Sequence, residues 1–166
     1  MGLACELWSP PFPISCSMAS GARFGLGTTT VQCSATDPHG NTATGSFTVT
    51  VRYSWSGFLQ PINADGSSIF KAGSTVPVKF TLTGASAGIT DATATLSYAK
   101  VSNQIEGDIL EAVTNVGGST GSQFRYDPTA GQYIFNWSTK GLTAGTYSIK
   151  IDLGDSAVHA LRISLK

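Results

Sequence analysis

Charge is scarce in this chain. Only 12% of its 166 residues are Asp, Glu, Lys or Arg, about half the share of an ordinary soluble domain. Ten basic side chains offset ten acidic ones, and no basic run or stripe stands out, so a nucleic-acid or anionic-membrane partner has no electrostatic support. No apolar stretch approaches the length needed to cross a bilayer, and membrane insertion is not expected. Histidine is limited to His39 and His159, far apart, and no Cys-x-x-Cys pair exists, which argues against zinc. No Asp-x-Asp-x-Asp-Gly loop is present, which excludes an EF-hand. A triad can be assembled on paper from Ser156, His159 and Asp155. Such near neighbours on one turn and strand rarely meet catalytic geometry. Solvated turn residues are the expectation, with no enzyme activity and no cofactor. The start, Met1-Gly-Leu-Ala-Cys-Glu-Leu-Trp, lacks the basic residues and apolar core of a signal peptide. It reads as a cut through a longer secreted polypeptide.

What takes the place of charge is Thr, Ser and 19 Gly, beside a hydrophobic content of 41%. That mixture suits a turn-rich, all-β protein with a hydroxyl-covered surface. The clearest strand is Lys71–Leu82. There Val76, Val78, Phe80 and Leu82 alternate with Pro77, Lys79 and Thr81, the period of a strand with one buried face. Pro77 lacks a backbone donor, which places the strand at a sheet edge or the Pro at its start.

Residues 10–13 hold three prolines and forbid a helix or central strand. Beyond them, Ile14–Met18 alternates, Thr28–Ala35 is a strand, Thr36–Asn41 is a hairpin loop and Thr44–Tyr53 returns with Phe47, Val49, Val51 and Tyr53 on one face. In the loop, Asp37 can bond the turn backbone, Pro38 presets φ and Gly40 can take positive φ. The chain of motifs Cys16-Ser-Met-Ala-Ser-Gly21, Phe24-Gly-Leu-Gly-Thr-Thr-Thr-Val-Gln-Cys33-Ser-Ala-Thr-Asp37, Gly40-Asn-Thr-Ala-Thr and Ser46-Phe-Thr-Val-Thr-Val51 resembles the C-terminal half of a hyalin repeat. The resemblance implies an immunoglobulin-like extracellular module associated with adhesion, here without its opening strands. Gly45 stands where that repeat usually has a Cys, whose partner would lie in the absent half.

In the remainder, strands are expected at Val76–Leu82, Ala92–Tyr98, near Gln123–Tyr126, at Tyr133–Trp137, Thr146–Leu153 and Val158–Leu165, with turns between them, including one at Gly117–Gly121. Ala92, Ala94, Leu96 and Tyr98 form one apolar row. Tyr133, Phe135 and Trp137 form a second, and Tyr147, Ile149, Ile151 and Leu153 a third. Along the last strand the phase slips between Ala160 and Leu161, which predicts a bulge. Strands this many and this short imply a sandwich. Gly57-Phe58-Leu59-Gln-Pro61, the run Lys71 to Phe80 with Pro77, Lys79 and Phe80, Gly131-Gln-Tyr133 with Trp137, and Gly145-Thr-Tyr147 with Asp152 and His159 resemble the bacterial domain named for its Pro-x-Lys-Phe motif. That domain is found at the ends of secreted and surface proteins, often behind hyalin repeats. The expected division is a partial hyalin-like module at 1–53 and a Pro-x-Lys-Phe-type sandwich at 54–166.

In that extracellular context Cys16 and Cys33, on neighbouring strands, are candidates for one disulfide, which leaves Cys5 over. Asp37 with Asn41 can contribute to a calcium site, but one carboxylate rarely holds Ca²⁺ and a turn cap is the expectation. Glu106-Gly-Asp108-Ile-Leu-Glu111 is the one acidic cluster and falls in a loop. A strand Lys such as Lys79 is what an isopeptide bond requires, yet it lies opposite the apolar phase and reads as an edge-strand guard. Of Trp8, Trp55 and Trp137, the last belongs to a core row, while Trp55, in a linker between modules, is the candidate for stacking on a ligand. Asn136-Trp-Ser138 is a glycosylation sequon that matters only in a eukaryotic secretory host. Together these readings give an all-β, immunoglobulin-like antiparallel β-sandwich preceded by a partial immunoglobulin-like module. Its expected work is structural or adhesive, at the cell surface or outside the cell. The expected partners are neighbouring modules of a longer polypeptide and a surface glycan or protein. The alternative is a carbohydrate-binding accessory module of a secreted hydrolase.

Overall fold

A computed structural model describes residues 13–114 and 121–166. Cys5, Glu6, Trp8 and most of the turn expected at 117–121 lie outside the described residues. The chain divides into two compact units, Met1–Val51 and Arg52–Lys166.

The first unit is an antiparallel sheet in the order β1 (Ile14–Cys16), β2 (Gly27–Thr36) and β3 (Thr42–Val51). β2 and β3 pair one to one from Gly27↔Val51 to Thr36↔Thr42. The hairpin that joins them is closed by Asp37 N–H donating to the Asn41 carbonyl (2.9 Å), with Gly40 at φ +83°. That positive φ is what the loop needed from a glycine. On one face the register sets Val31 against Phe47 and Cys33 against Gly45. Val31 is buried, whereas Phe47 and Ile14 are 53% and 71% exposed. The opposite face is lined by threonine, with hydroxyl pairs Thr28–Thr50 (3.1 Å) and Thr36–Thr42 (3.0 Å) crossing the two strands. Tyr53, expected to extend the β3 row, falls outside the strand because its N–H is bound by Asp155 in the second unit.

The second unit is a sandwich. One layer has the order β5 (Thr75–Phe80), β10 (Gln132–Ser138), β9 (Arg125–Asp127). The other has the order β4 (Ile69–Phe70), β12 (Val158–Leu165), β11 (Gly145–Asp152), β6 (Thr95–Ser102), β7 (Ile105–Glu106), with β8 (Leu110–Glu111) also pairing β6. Among the described residues every pair is antiparallel except β4 with β12. The predicted rows meet in one core. Val76, Val78 and Phe80, paired side by side in their own layer with Trp137, Phe135 and Tyr133, pack with Leu82 against Leu96, Ile149, Ile151 and Ile163 of the other layer. Phe80 stacks on Tyr133 at 4.8 Å and 5° and meets Phe124 edge-on at 5.1 Å, geometries that add to simple burial.

Two expectations about strands fail here. The predicted bulge in β12 is absent, since β11 and β12 pair without interruption from Gly145↔Leu165 to Asp152↔Val158. The inward row is His159, Leu161, Ile163 and Leu165, and it is Val158 that is exposed. Reading Val158 and Ala160 as inward produced an apparent slip; the register against Ile151 turns His159 inward instead. The strand expected at Ala92–Tyr98 runs from Thr95 to Ser102. Ala92 and Ala94 are buried as predicted, but the Tyr133 hydroxyl holds the Ala92 N–H (3.0 Å), outside any ladder.

Candidate functional site

The residues singled out from sequence do not converge on one site. In the first unit, β1 and β2 set Cys16 opposite Cys33, with Cα atoms 4.0 Å apart, and the two are joined by a disulfide. By strand alternation Ser15, Ser34 and Thr44, with Gln32 and Ser46, fall on the opposite face from the two cysteines, and they line an open concavity of about 680 Å³. At the hairpin tip, Asp37 accepts from His39 N–H (2.8 Å), Asn41 N–H (2.9 Å) and the Asn41 amide nitrogen (2.8 Å). The Asn41 amide, chiefly, holds the Asp37 carboxyl below its ordinary pKa. Both oxygens serve the turn, as a cap does. Among the described residues no three His, Cys, Asp or Glu side chains gather in a metal-binding arrangement.

The second place is the outer edge of β5, an edge strand with Pro77 third in it, opposite Asn136. Backbone groups of alternate strand residues point the same way. The Lys79 carbonyl accepts from Leu59 N–H (2.9 Å) and the Thr81 carbonyl from Ser56 N–H (2.9 Å). The missing N–H of Pro77 therefore falls on that outer side and takes nothing from the ladder to β10. Residues 55–59 run along this edge and cover part of it, with Trp55 bridged to Leu82. Phe80 is core. Lys79 is half-buried on the outward row, paired with Ile134.

Trp55 itself is not a linker residue. It belongs to the second unit, half-buried, packed edge-on against Phe58 (5.5 Å) and Phe80 (6.1 Å) and tilted over the His159 ring at 4.2 Å. Those contacts fasten the lead-in segment to the sandwich. Trp137 is fully buried, and Asn136 is half-buried within β10.

The third place is the paper triad, and the expectation of solvated turn residues holds there for Ser156 alone, since packing of the lead-in segment against the β11–β12 turn buries Asp155 and encloses His159. Asp155 is fully buried and accepts from Tyr53 N–H (2.9 Å) and Ala157 N–H (3.0 Å). It latches the first residues of the unit to the β11–β12 turn, where Ser156 is exposed at φ +64°. His159 Nε2 is enclosed with no hydrogen-bond partner among the described residues. Burial pushes the His159 pKa down; the Asp155 charge opposes that shift and Arg52 adds to it. A nucleophile–base pair is not what these contacts build. Of the acidic cluster, Glu106 pairs with Lys150, which lowers its pKa, and the expected loop carries the short strands β7 and β8.

Sequence reasoning passed over Asp155 as a structural latch. It also passed over the Tyr133 hydroxyl, which accepts from Ala92 N–H and donates to the Ile89 carbonyl (2.9 Å). Lys100 was missed as well. A charged residue continues the inward row Leu96–Tyr98–Lys100, and that break in the pattern was there to be read.

A protein-family model, HYR domain, matches residues 12–51. The match covers the described strands of the first unit and both disulfide cysteines. HYR domains are immunoglobulin-like, non-catalytic modules of the adhesion type found in extracellular proteins. With nearly all of its regular structure in antiparallel sheets, the chain is an all-β, immunoglobulin-like sandwich protein. No curated protein matches the chain.

Proposed function

We propose that this chain is a non-catalytic structural and adhesive part of a secreted or surface-displayed bacterial protein. In this reading a partial hyalin-repeat module is followed by a Pro-x-Lys-Phe-type sandwich, and together they present neighbouring modules or contact a surface. The observation that carries it is the HYR match over residues 12–51, in the unit that holds a disulfide. A disulfide persists in an oxidising, extracellular setting. The placement of Pro77, Lys79 and Phe80 supports the second half of the reading. Phe80 anchors the core and Pro77 with the covering segment closes an edge to strand addition. The test is to bind the intact chain to whole bacterial cells and to purified cell-surface material, and to assay it in parallel against glycoside, ester and peptide substrates. Retention without turnover is expected, and turnover of any substrate sinks the reading.

The carbohydrate-binding alternative has one specific observation in its favour, an aromatic-walled cleft at one end of the sandwich. It does not require Trp55, whose ring is engaged in packing.

A further inference from the structure

We propose that the cleft at the open end of the second unit is a binding site for the ring of a neutral pyranose sugar. The proposal rests on the adhesive reading above and gives that reading a ligand. The cleft holds about 300 Å³ between β6, the β7–β8 arm and the loop before β11, at the small end of the range for ligand sites. It suits one ring rather than an extended chain.

Its construction follows from the inward row of β6. Leu96 is sealed in the core, Tyr98 is half-buried and Lys100 is exposed. The row opens because β10, in the facing layer, runs only to Ser138. Tyr98 is held from behind by Trp137 (5.1 Å) and Tyr147 (6.2 Å), so an aromatic wall is fixed before any ligand arrives. Leu110, 51% exposed, and Leu142 extend the apolar surface. At the rim, Lys100 Nζ donates to Thr143 Oγ1 at 2.7 Å, which leaves two of its three donors for other acceptors. Its stem lies across Gly145, where a Cβ would come within 3.1 Å of Lys100 Cε and where φ is +146°. The glycine is what lets the lysine lie there. Asp108 supplies acceptors on the same rim.

The chemistry of the rim selects the ligand. Lys100 and Asp108 place opposite charges on one rim, so it carries no net charge to favour an anion or a cation. A wholly apolar ligand would strip water from both charges without replacing it. A molecule with one C–H face for the Tyr98 and leucine wall, and hydroxyls that both donate and accept at its edge, meets every group. A neutral pyranose is that molecule. A wall held in place before binding also lowers the ordering cost of capture.

The test uses the intact chain, titrated with glucose, galactose, mannose and N-acetylglucosamine and followed by backbone and aromatic NMR shifts. Expected are shifts at Tyr98, Leu110 and Thr143 for at least one sugar, with affinity lowered about tenfold or more by K100A and by D108A, each removing a charge-assisted hydrogen bond. R125A, on the far layer, should bind as the parent does. All three substituted side chains are exposed, and near-UV circular dichroism checks that the variants are folded. No shift at the cleft with any of the four sugars, or binding that K100A and D108A leave intact, overturns the proposal. If K100A and D108A lose the sugar but still adhere to cells, the cleft is supported and adhesion is assigned elsewhere. If the parent adheres but binds no sugar, the cleft fails and the adhesive reading stands.

Discussion

Replacing Asp155 by Ala tests the latch that joins the first residues of the second unit to its last hairpin. The carboxylate is wholly buried and accepts two backbone N–H groups, Tyr53 at 2.9 Å and Ala157 at 3.0 Å. Removing it strands two donors, each costing about 1–3 kcal/mol if water cannot reach it. Both bonds lie where burial is partial, so water recovers part of the loss and the lower half of the range applies. The sum is about 3 kcal/mol, and for a domain of this size a shift of about 4 °C per kcal/mol lowers Tm by about 12 °C. Asp155→Asn keeps the shape and one acceptor but turns an amide N–H₂ toward one of the two donors, so its loss should be about half as large. Urea and thermal melts rank the series. Hydrogen exchange at the Tyr53 amide adds a local readout, since it should lose protection in Asp155→Ala. A loss below about 0.5 kcal/mol, the range of an ordinary surface change, would refute the reasoning, as would a Tyr53 amide that exchanges equally fast in both proteins.

Tyr133→Phe keeps the ring stacked on Phe80 but leaves Ala92 N–H and the Ile89 carbonyl without their partner. Equilibrium unfolding should show a loss of about 1–3 kcal/mol, and an unchanged midpoint contradicts the assignment. His159 is depressed by burial below its ordinary 6.5, so the unfolded chain binds its proton first as pH falls. Its contribution is complete above about pH 6.5 and is lost as pH drops through the depressed folded value. The stability difference between pH 7 and pH 5 should therefore be smaller in His159→Phe than in the parent, and parallel pH profiles would count against an enclosed neutral imidazole. Reduction of the Cys16–Cys33 disulfide, which closes a sequence separation of 17, should cost the first unit about 3 kcal/mol by the chain-entropy estimate. The melting of the second unit should be untouched, and a shift there on adding reductant would show that the effect is not local.

The strands and their faces were legible because alternation is a local property. Val76, Val78, Phe80 and Leu82, or Tyr147, Ile149, Ile151 and Leu153, declare a buried face through neighbours two residues apart, and both rows are buried. The Asp37–Asn41 turn was equally readable, since its hydrogen bonds span at most four residues. The cleft left one local trace, a lysine on an apolar phase, but whether that lysine meets solvent or core depends on where β10 ends in the other layer.

What the sequence by itself determined, then, is the all-β class and the apolar rows, while for the strand holding Pro77 it left a sheet edge or a Pro at the strand's start as alternatives. The tertiary structure alone decided the register that turns His159 inward opposite Ile151, the burial of Asp155 under Tyr53 and the packing of Trp55 on His159. The physical reason is range. A side chain's face follows from its own strand, but its partner across 102 residues, as between Tyr53 and Asp155, is chosen only when two layers close on each other and every buried donor must find an acceptor.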